Sequence, residues 1–156
     1  MNYKYLVLSI KQNEGFKSKP YIDPLAKKEI PKDELAIIEK YWDKLNITIG
    51  NGRCLQTNPL TVKENDYLMK QDILKNNKEL FENIKFYANL PDHVRNVLIE
   101  MAYQLGVNGL LKFKKTLEHI NNKDFEKASM EMLNSKWAKQ TPNRAKTLSN
   151  LMKGGN

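Results

Sequence analysis

The positions of the helix-breaking residues constrain the fold of this chain more than any other feature. Residues 16–56 are irregular and β-prone, whereas the segments on either side repeat apolar residues at helical spacing. The breaking residues in and just after this stretch are Pro20, Pro24, Pro31, Gly50, Gly52 and Pro59. One helix, a small β region and then a series of helices is an order typical of an α+β domain. The sequence therefore predicts a small lobe that contains strands and a larger helical lobe.

Helical periodicity predicts helices at residues 3–13, 32–45, 61 to about 80, 93–105, 109–120, 124–134 and 143–152. Thr61 and Glu64 form the capping-box pattern that opens a long helix. Its predicted apolar surface consists of Leu68, Ile73, Leu74, Leu80 and Phe81. Asp92 is the predicted cap of the helix at 93–105, and Gly106 is the predicted residue after its end. This helix is the most apolar in the chain, so we expect it at the centre of the core.

Length and cysteine content indicate one domain without covalent staples. A chain of 156 residues is long enough to bury a core. Cys54 is the only cysteine, so an internal disulfide framework is excluded. The two histidines, His93 and His119, are far apart and no Cys/His cluster exists, so we predict no metal site.

The net charge of +8 is concentrated near the C-terminus. Residues 107–156 contain ten basic and four acidic residues, whereas residues 24–47 contain five of each. A basic surface attracts anionic polymers, and both nucleic acid and bacterial wall polymer fit this description. A charge that serves only solubility is the simpler alternative.

The N-terminal apolar run is too short, and too polar at its ends, for a signal peptide. No stretch approaches the roughly 20 apolar residues that span a bilayer. We therefore expect a protein that is made without a signal and does not insert stably into a membrane.

Two acids and a hydroxyl indicate a candidate reaction. Glu14 follows the first predicted helix, Asp23 comes after eight further residues, and Thr48 opens a β-prone pair that leads into a glycine turn. Hydrolysis of a glycosidic bond needs one acid to protonate the leaving oxygen and a second carboxylate on the opposite face of the sugar. The simpler interpretations are a helix-end glutamate in a salt bridge, an Asp-Pro turn and an ordinary strand threonine.

A resemblance to a known family strengthens this interpretation. Residues 135–146, Ser-Lys-Trp-Ala-Lys-Gln-Thr-Pro-Asn-Arg-Ala-Lys, resemble the C-terminal signature of the T-even phage lysozymes, glycoside hydrolase family 24. Residues 101–106, with Phe113 and Leu117, resemble that family's central helix and the segment after it. The segments that match its catalytic region in order are Glu14-Gly15, Tyr21, Asp23 and Thr48-Ile49-Gly50.

The resemblance covers nearly the whole chain except residues 24–47, and it implies a lysozyme-like α+β fold. The small lobe would comprise residues 14–60, with an insertion at 24–47. The helical lobe would comprise residues 61–156 together with helix 3–13, and the long helix would join the two lobes in a single domain, 1–156.

The resemblance also implies a role for each matching residue. Glu14 would be the general acid, Asp23 would position or activate water, and Thr48 would help to hold that water. Arg144 would support Glu14. The implied substrate-binding residues are Tyr103, Gln104 and Thr116, with Trp137 bordering the cleft. On their own patterns, Trp137 and Phe113 are interpreted as core residues.

The implied activity is that of a muramidase, which cleaves the β-1,4 bond between N-acetylmuramic acid and N-acetylglucosamine in peptidoglycan without a cofactor. The enzyme would be a monomeric endolysin, made in the host cytoplasm and acting on the periplasmic wall after a separate holin releases it. A baseplate-associated or effector lysozyme of the same fold is an alternative setting. A basic glycan- or nucleic-acid-binding module is an alternative of another class. Inverting and retaining outcomes both stay open.

The chain departs from the family pattern in three places. Arg53 stands where the family usually has a histidine, and Cys54 and Glu131 occupy two sugar-contacting positions. The third departure is the 24–47 insertion, which would enlarge the small lobe, form a lid or cleft wall, or dock a membrane or partner protein.

Overall fold

The computed structural model describes residues 3–14, 16–17, 30–44 and 47–154. Its α-helices in chain order are α1 (Tyr3–Glu14), α2 (Lys32–Tyr41), α3 (Val62–Asn83), α4 (Asp92–Leu105), α5 (Val107–Leu110), α6 (Lys114–Asn121), α7 (Phe125–Leu133), α8 (Lys136–Gln140) and α9 (Pro142–Met152). Short 3-10 helices span Trp42–Lys44 and Tyr87–Asn89. The strands are β1 (Thr48–Ile49) and β2 (Arg53–Cys54), which pair antiparallel. This mixture confirms the predicted α+β class.

The chain forms two compact units. The first unit comprises residues 1–14 and 69–156, and the second comprises residues 15–68. Helix α3 contributes its first seven residues to the second unit and the rest to the first.

Helix α4 forms the centre of the first unit, as its apolar sequence predicted. The residues buried along it are Val94, Asn96, Val97, Leu98, Ile99, Glu100, Met101 and Ala102. Helices α1, α5 and α9 all contact α4. The apolar face predicted for the first helix is confirmed at Leu6 and Ile10, which belong to the same core.

Helix α3 buries a narrower face than the sequence indicated. Ile73 and Leu80 are buried as expected, together with Met69. The prediction was wrong for the other three residues, because Leu68, Leu74 and Phe81 are between 40% and 62% exposed. They lie off the line of the buried residues, which follow one another at intervals of four and seven along the helix.

The capping box predicted at the start of α3 is confirmed. The Thr61 amide and hydroxyl each donate to Glu64 Oε2 at 2.8 Å, and the Glu64 amide donates to Thr61 Oγ1 at 3.3 Å. Gly106 ends α4 with φ of 70°, a conformation that glycine adopts without steric cost. Asp92 is not the cap predicted for α4. It is the first helical residue, with Pro91 at the cap position, and its carboxylate bonds to Arg95 within the first turn.

Two predictions in the C-terminal third need correction. The helix expected at 109–120 is divided into α5 and α6. The Lys112 and Phe113 amides bond to the carbonyls three residues earlier, and Phe113 packs its ring edge-to-face against Trp137 at 6.1 Å between ring centres. Helix α8 was not predicted from the sequence. Ser135 is its N-cap and accepts a hydrogen bond from the Ala138 amide. Tertiary packing on Trp137 accounts for the first feature, and a local cap begins the second.

The described part of the second unit contains no buried apolar side chain. Helix α2 matches most of the segment predicted at 32–45, and its apolar residues Leu35 and Ile38 are half-buried. Leu45 lies outside the described residues. Hydrogen bonds and turns therefore contribute a larger share of the local order here than in the first unit.

Leu98→Ala tests the central position of α4. Leu98 is fully buried, so removal of its side chain should lower the free energy of unfolding by about 2–5 kcal/mol. Leu133→Ala is a matched control because Leu133 is 47% exposed, and its effect should stay within about 0.5 kcal/mol. Urea denaturation of both variants measures the difference. Equal losses in the two variants would contradict a core centred on α4.

Candidate functional site

The end of α1 lies beside the start of α9 in the first unit. Asn13, Gln104 and Arg144 line a pocket of about 330 Å³, together with Thr141, Pro142 and Asn143. Glu14, the predicted acid, is the last residue of α1 and directly follows Asn13, although its side chain lies outside the described part. The structure thus brings the helix end that carries Glu14 to the pocket lined by Arg144, its predicted supporting residue.

A buried carboxylate in α4 contacts the same helix end. Glu100 is only 4% exposed, and Asn13 Nδ2 donates to its Oε2 at 3.3 Å. Asn96, Glu100 and Gln104 follow one another at intervals of four residues, so they form a polar row along α4. The sequence interpretation missed Glu100. The available signal was a single acid within an apolar run, since acids are almost never fully buried unless paired.

Gln104 is fixed by Trp137. The indole Nε1 donates to Gln104 Oε1 at 2.8 Å, and Trp137 is 4% exposed. Because its oxygen is occupied by the indole, Gln104 keeps its amide NH₂ group for a ligand in the pocket. Trp137 is therefore a core residue, as its own pattern predicted, that also orients a predicted substrate-binding side chain.

On the other side of Trp137 lies a groove of about 510 Å³. Apolar parts of Leu105, Phe113 and Trp137 line it, and so does Thr116. Its rim carries the lysines Lys112, Lys114, Lys115 and Lys136, against one acid, Glu131. The groove therefore combines an apolar floor with a positive rim.

The remaining predicted contact residues differ in accessibility. Thr116 is 2% exposed and reaches the groove from within the core. Tyr103 is half-buried and packs against the core cluster. Asp23 lies outside the described residues. Thr48 belongs to the second unit.

Thr48 lies on an exposed strand of a tight hairpin. It pairs with Cys54 across the two strands, and Ile49 pairs with Arg53. Gly50 and Gly52 have φ of 54° and 88°, which only glycine adopts readily. The glycines therefore permit the tight turn between β1, which contains Thr48, and β2.

The thiol opposite Thr48 has a perturbed acidity. The Thr57 backbone amide, then the Thr57 hydroxyl and then the Gln56 amide lower the pKa of Cys54 through hydrogen bonding. The thiolate is correspondingly favoured, and the side chain is half-buried. Cys54 can therefore serve as a chemical reporter of this hairpin.

Arg53 joins the hairpin to the start of α3. Its Nη1 and Nη2 donate to the two Glu64 oxygens at 2.7 and 3.1 Å. Hydrogen bonds from the Thr61 backbone amide and hydroxyl, followed by the charge of Arg53, lower the pKa of Glu64. The ion pair is therefore charged on both sides near neutral pH.

Within the described ranges, no group of three or more His, Cys, Asp or Glu side chains is arranged to hold a metal ion. In those same ranges, no helix is long and apolar enough to cross a bilayer.

The fold and the site define the class of this protein. It is an α+β protein of the lysozyme-like kind, with a short hairpin in one unit and a helical core in the other. The phage lysozyme family model matches residues 11–153, which is nearly the whole chain. The chain therefore belongs to the phage lysozyme family.

Two curated relatives come from Dictyostelium discoideum. Probable T4-type lysozyme 1 is 33% identical over 99 residues, which cover 62% of this chain and 58% of the relative. Probable T4-type lysozyme 2 is 35% identical over 69 residues, which cover 44% of this chain and 41% of the relative. The chain thus spans about half the length of the curated relatives it matches.

The lowered pKa of Glu64 predicts how the second unit responds to acid. A depressed carboxyl pKa contributes stability that is fully present above the unfolded-state value of about 4.3 and is lost as the pH falls through the folded-state value. The difference in free energy of unfolding between wild type and Glu64→Gln should therefore be largest above about pH 5 and shrink below about pH 4.

Denaturant titrations at several pH values measure this difference. Glu82→Gln is the control on the same helix, because its carboxylate is 55% exposed and lies 3.8 Å from Lys78. An exposed pair of this kind contributes little, so Glu82→Gln should follow wild type throughout. A Glu64→Gln difference that stays constant down to pH 2 would refute the prediction.

Proposed function

We propose that this protein is a muramidase that hydrolyses the β-1,4 bond between N-acetylmuramic acid and N-acetylglucosamine in peptidoglycan. The proposal extends family membership to a specific bond and to specific residues. One observation carries it: Asn13, the neighbour of Glu14, and Arg144 line the same polar pocket.

The position of Glu14 suits a general acid. Glu14 lies at the C-terminal end of α1, directly after Asn13, which lines the polar pocket. Arg144 supplies a positive charge and, as the resemblance implies, orients the carboxyl group. Glu14 then donates its proton to the departing glycosidic oxygen.

Asp23 and Thr48 are the other two residues that we propose for the reaction. Asp23 activates or positions a water molecule on the other face of the sugar, and the Thr48 hydroxyl holds that water. Thr48 is exposed on its hairpin. Tyr103, Gln104 and Thr116 contact the sugar chain in this proposal.

The surface of the first unit suits an anionic wall polymer. Four exposed lysines rim the groove beside Trp137, and residues 107–156 carry a net charge of +6. Such a field raises the encounter rate with a polyanion. We propose a monomeric endolysin that is made in the host cytoplasm and acts on the periplasmic wall after holin-type release. A baseplate-associated or effector lysozyme would use the same chemistry in another setting.

A basic binding module without catalysis is the second candidate, and the charge of the C-terminal third favours it. It predicts salt-sensitive binding to DNA or glycan and no new reducing ends. The muramidase proposal predicts reducing ends at muramic acid.

Glu14→Gln tests the proposed acid. The amide keeps the shape of the side chain and cannot protonate the leaving group, so clearance of outer-membrane-stripped Gram-negative peptidoglycan should fall by about 10²- to 10⁴-fold. Turbidity gives the rate, and reducing-end analysis identifies the bond that is cleaved.

Glu118→Gln is the matched control, because Glu118 is an exposed glutamate near the end of α6. Its clearance rate should equal that of wild type. Undiminished clearance by Glu14→Gln would exclude Glu14 as the acid. Binding by wild type without reducing ends would favour the non-catalytic module.

A further inference from the structure

One guanidinium group ties the hairpin of Thr48 to the following turn and helix. Arg53 Nε donates to the Asn58 carbonyl at 3.1 Å, and Nη2 donates to the Pro59 carbonyl at 3.0 Å. Nη1 and Nη2 also donate hydrogen bonds to the two carboxylate oxygens of Glu64. All three nitrogens are thus engaged, and the planar fork fixes the orientation of the side chain.

The other end of this tie is fixed as well. Glu64 Oε2 accepts hydrogen bonds from the Thr61 amide and hydroxyl while it pairs with Arg53. The carboxylate lies in the first turn of α3, where the partial positive charge of the helix end stabilises it. Arg53 therefore binds an anchor that is already held in place by α3.

The position of Arg53 is coupled to that of Thr48 through the strand pairing. Arg53 lies opposite Ile49, and the adjacent cross-strand pair is Thr48 with Cys54. Each strand has only two residues, so the ladder is too short to hold its own position. Two hydrogen bonds beyond the strands connect Ile47 with the segment after β2. The Ile47 amide donates to Gln56 Oε1, and the Ile47 carbonyl accepts from the Leu55 amide.

Apolar packing does not replace this tie. No apolar side chain is buried in the described residues of the second unit, and Ile49 beside Thr48 is 44% exposed. Within the described part of the second unit, the hydrogen bonds of the hairpin therefore contribute a large share of its fixed orientation.

We propose that Arg53 is a positioning residue for the hydrolysis reaction: through Glu64 it holds the hairpin so that the Thr48 hydroxyl stays in its working orientation. The inference rests on the proposed function of Thr48. It assigns a role to the arginine at which the sequence departs from the family's usual histidine.

Arg53→Gln tests the proposal with two independent measurements. The first is kcat and KM on a soluble peptidoglycan fragment. Misplacement of a reacting group by about 1 Å can cost about 10²-fold, so we expect kcat to fall about 10- to 100-fold with KM nearly unchanged. The second is the alkylation rate of Cys54, the only cysteine and the cross-strand partner of Thr48, which should rise.

Two further variants separate positioning from general destabilisation. Arg53→Lys retains the charge without the fork, so its kcat should lie between wild type and Arg53→Gln. Lys127→Gln is the matched control, because Lys127 pairs at 2.7 Å with Asp124, the N-cap of α7 in the first unit. It should leave both kcat and Cys54 alkylation unchanged. If circular dichroism shows that Arg53→Gln does not fold, Glu64→Gln is measured in its place, because it removes the same ion pair.

A folded Arg53→Gln with wild-type kcat and wild-type alkylation would overturn the proposal. Equal losses of kcat in Lys127→Gln would also overturn it, because the effect would then be general. A wild-type protein without hydrolytic activity would instead overturn the proposed function, and Cys54 alkylation would still decide whether Arg53 holds the hairpin.

Discussion

The burial of helix α4 is the constraint on which the first unit depends. Helices α1, α5 and α9 all pack on it, so the place where α1 ends and α9 begins follows from the core rather than from loops. The polar row of Asn96, Glu100 and Gln104 lies on this tightly packed helix. Glu100 bonds to Asn13, and Gln104 is held by Trp137, so two walls of the pocket are anchored in close-packed surroundings. A buried carboxylate is costly, and here it fixes the turn that carries Glu14.

The second unit follows a different physical principle. Its described residues bury no apolar side chain. Polar contacts hold this part of the chain together, and they comprise the cap formed by Thr61 and Glu64 and the bonds from Arg53 to Glu64 and to the turn carbonyls. Polar contacts of this kind contribute less net stability than burial, because water competes for the same groups. The unit is thus expected to open more readily than the first. Directional hydrogen bonds define the orientation of a polar side chain better than apolar contacts do.

The sequence predicted those elements whose causes are local. The capping box at Thr61, the apolar run of α4 and the glycine after it depend on neighbours within a few residues. The break near Phe113 depends on a distant partner, because it follows from packing on Trp137. The error at Asp92 is local, because its carboxylate bonds forward to Arg95 within the first turn instead of capping the helix. The same reasoning applies to the site. A motif marked Glu14, Thr48 and Arg144, whereas Glu100 and Arg53 acquire a meaning only from partners that the fold brings to them.

The net charge is distributed unevenly along this chain. The positive excess lies in residues 107–156, whereas the inserted segment at 24–47 is neutral. Attraction to a polyanion therefore arises from the first unit and needs no contribution from α2. Helix α2 instead exposes Ile37 and Tyr41, and the ammonium groups of Lys40 and Lys44 lie over the Tyr41 ring at 5.5 and 5.6 Å. Such a surface gains contact energy by apolar and cation-π packing, which salt screens far less than it screens long-range attraction. The long-range charge of the first unit and the exposed apolar side chains of α2 are therefore separate features of this protein.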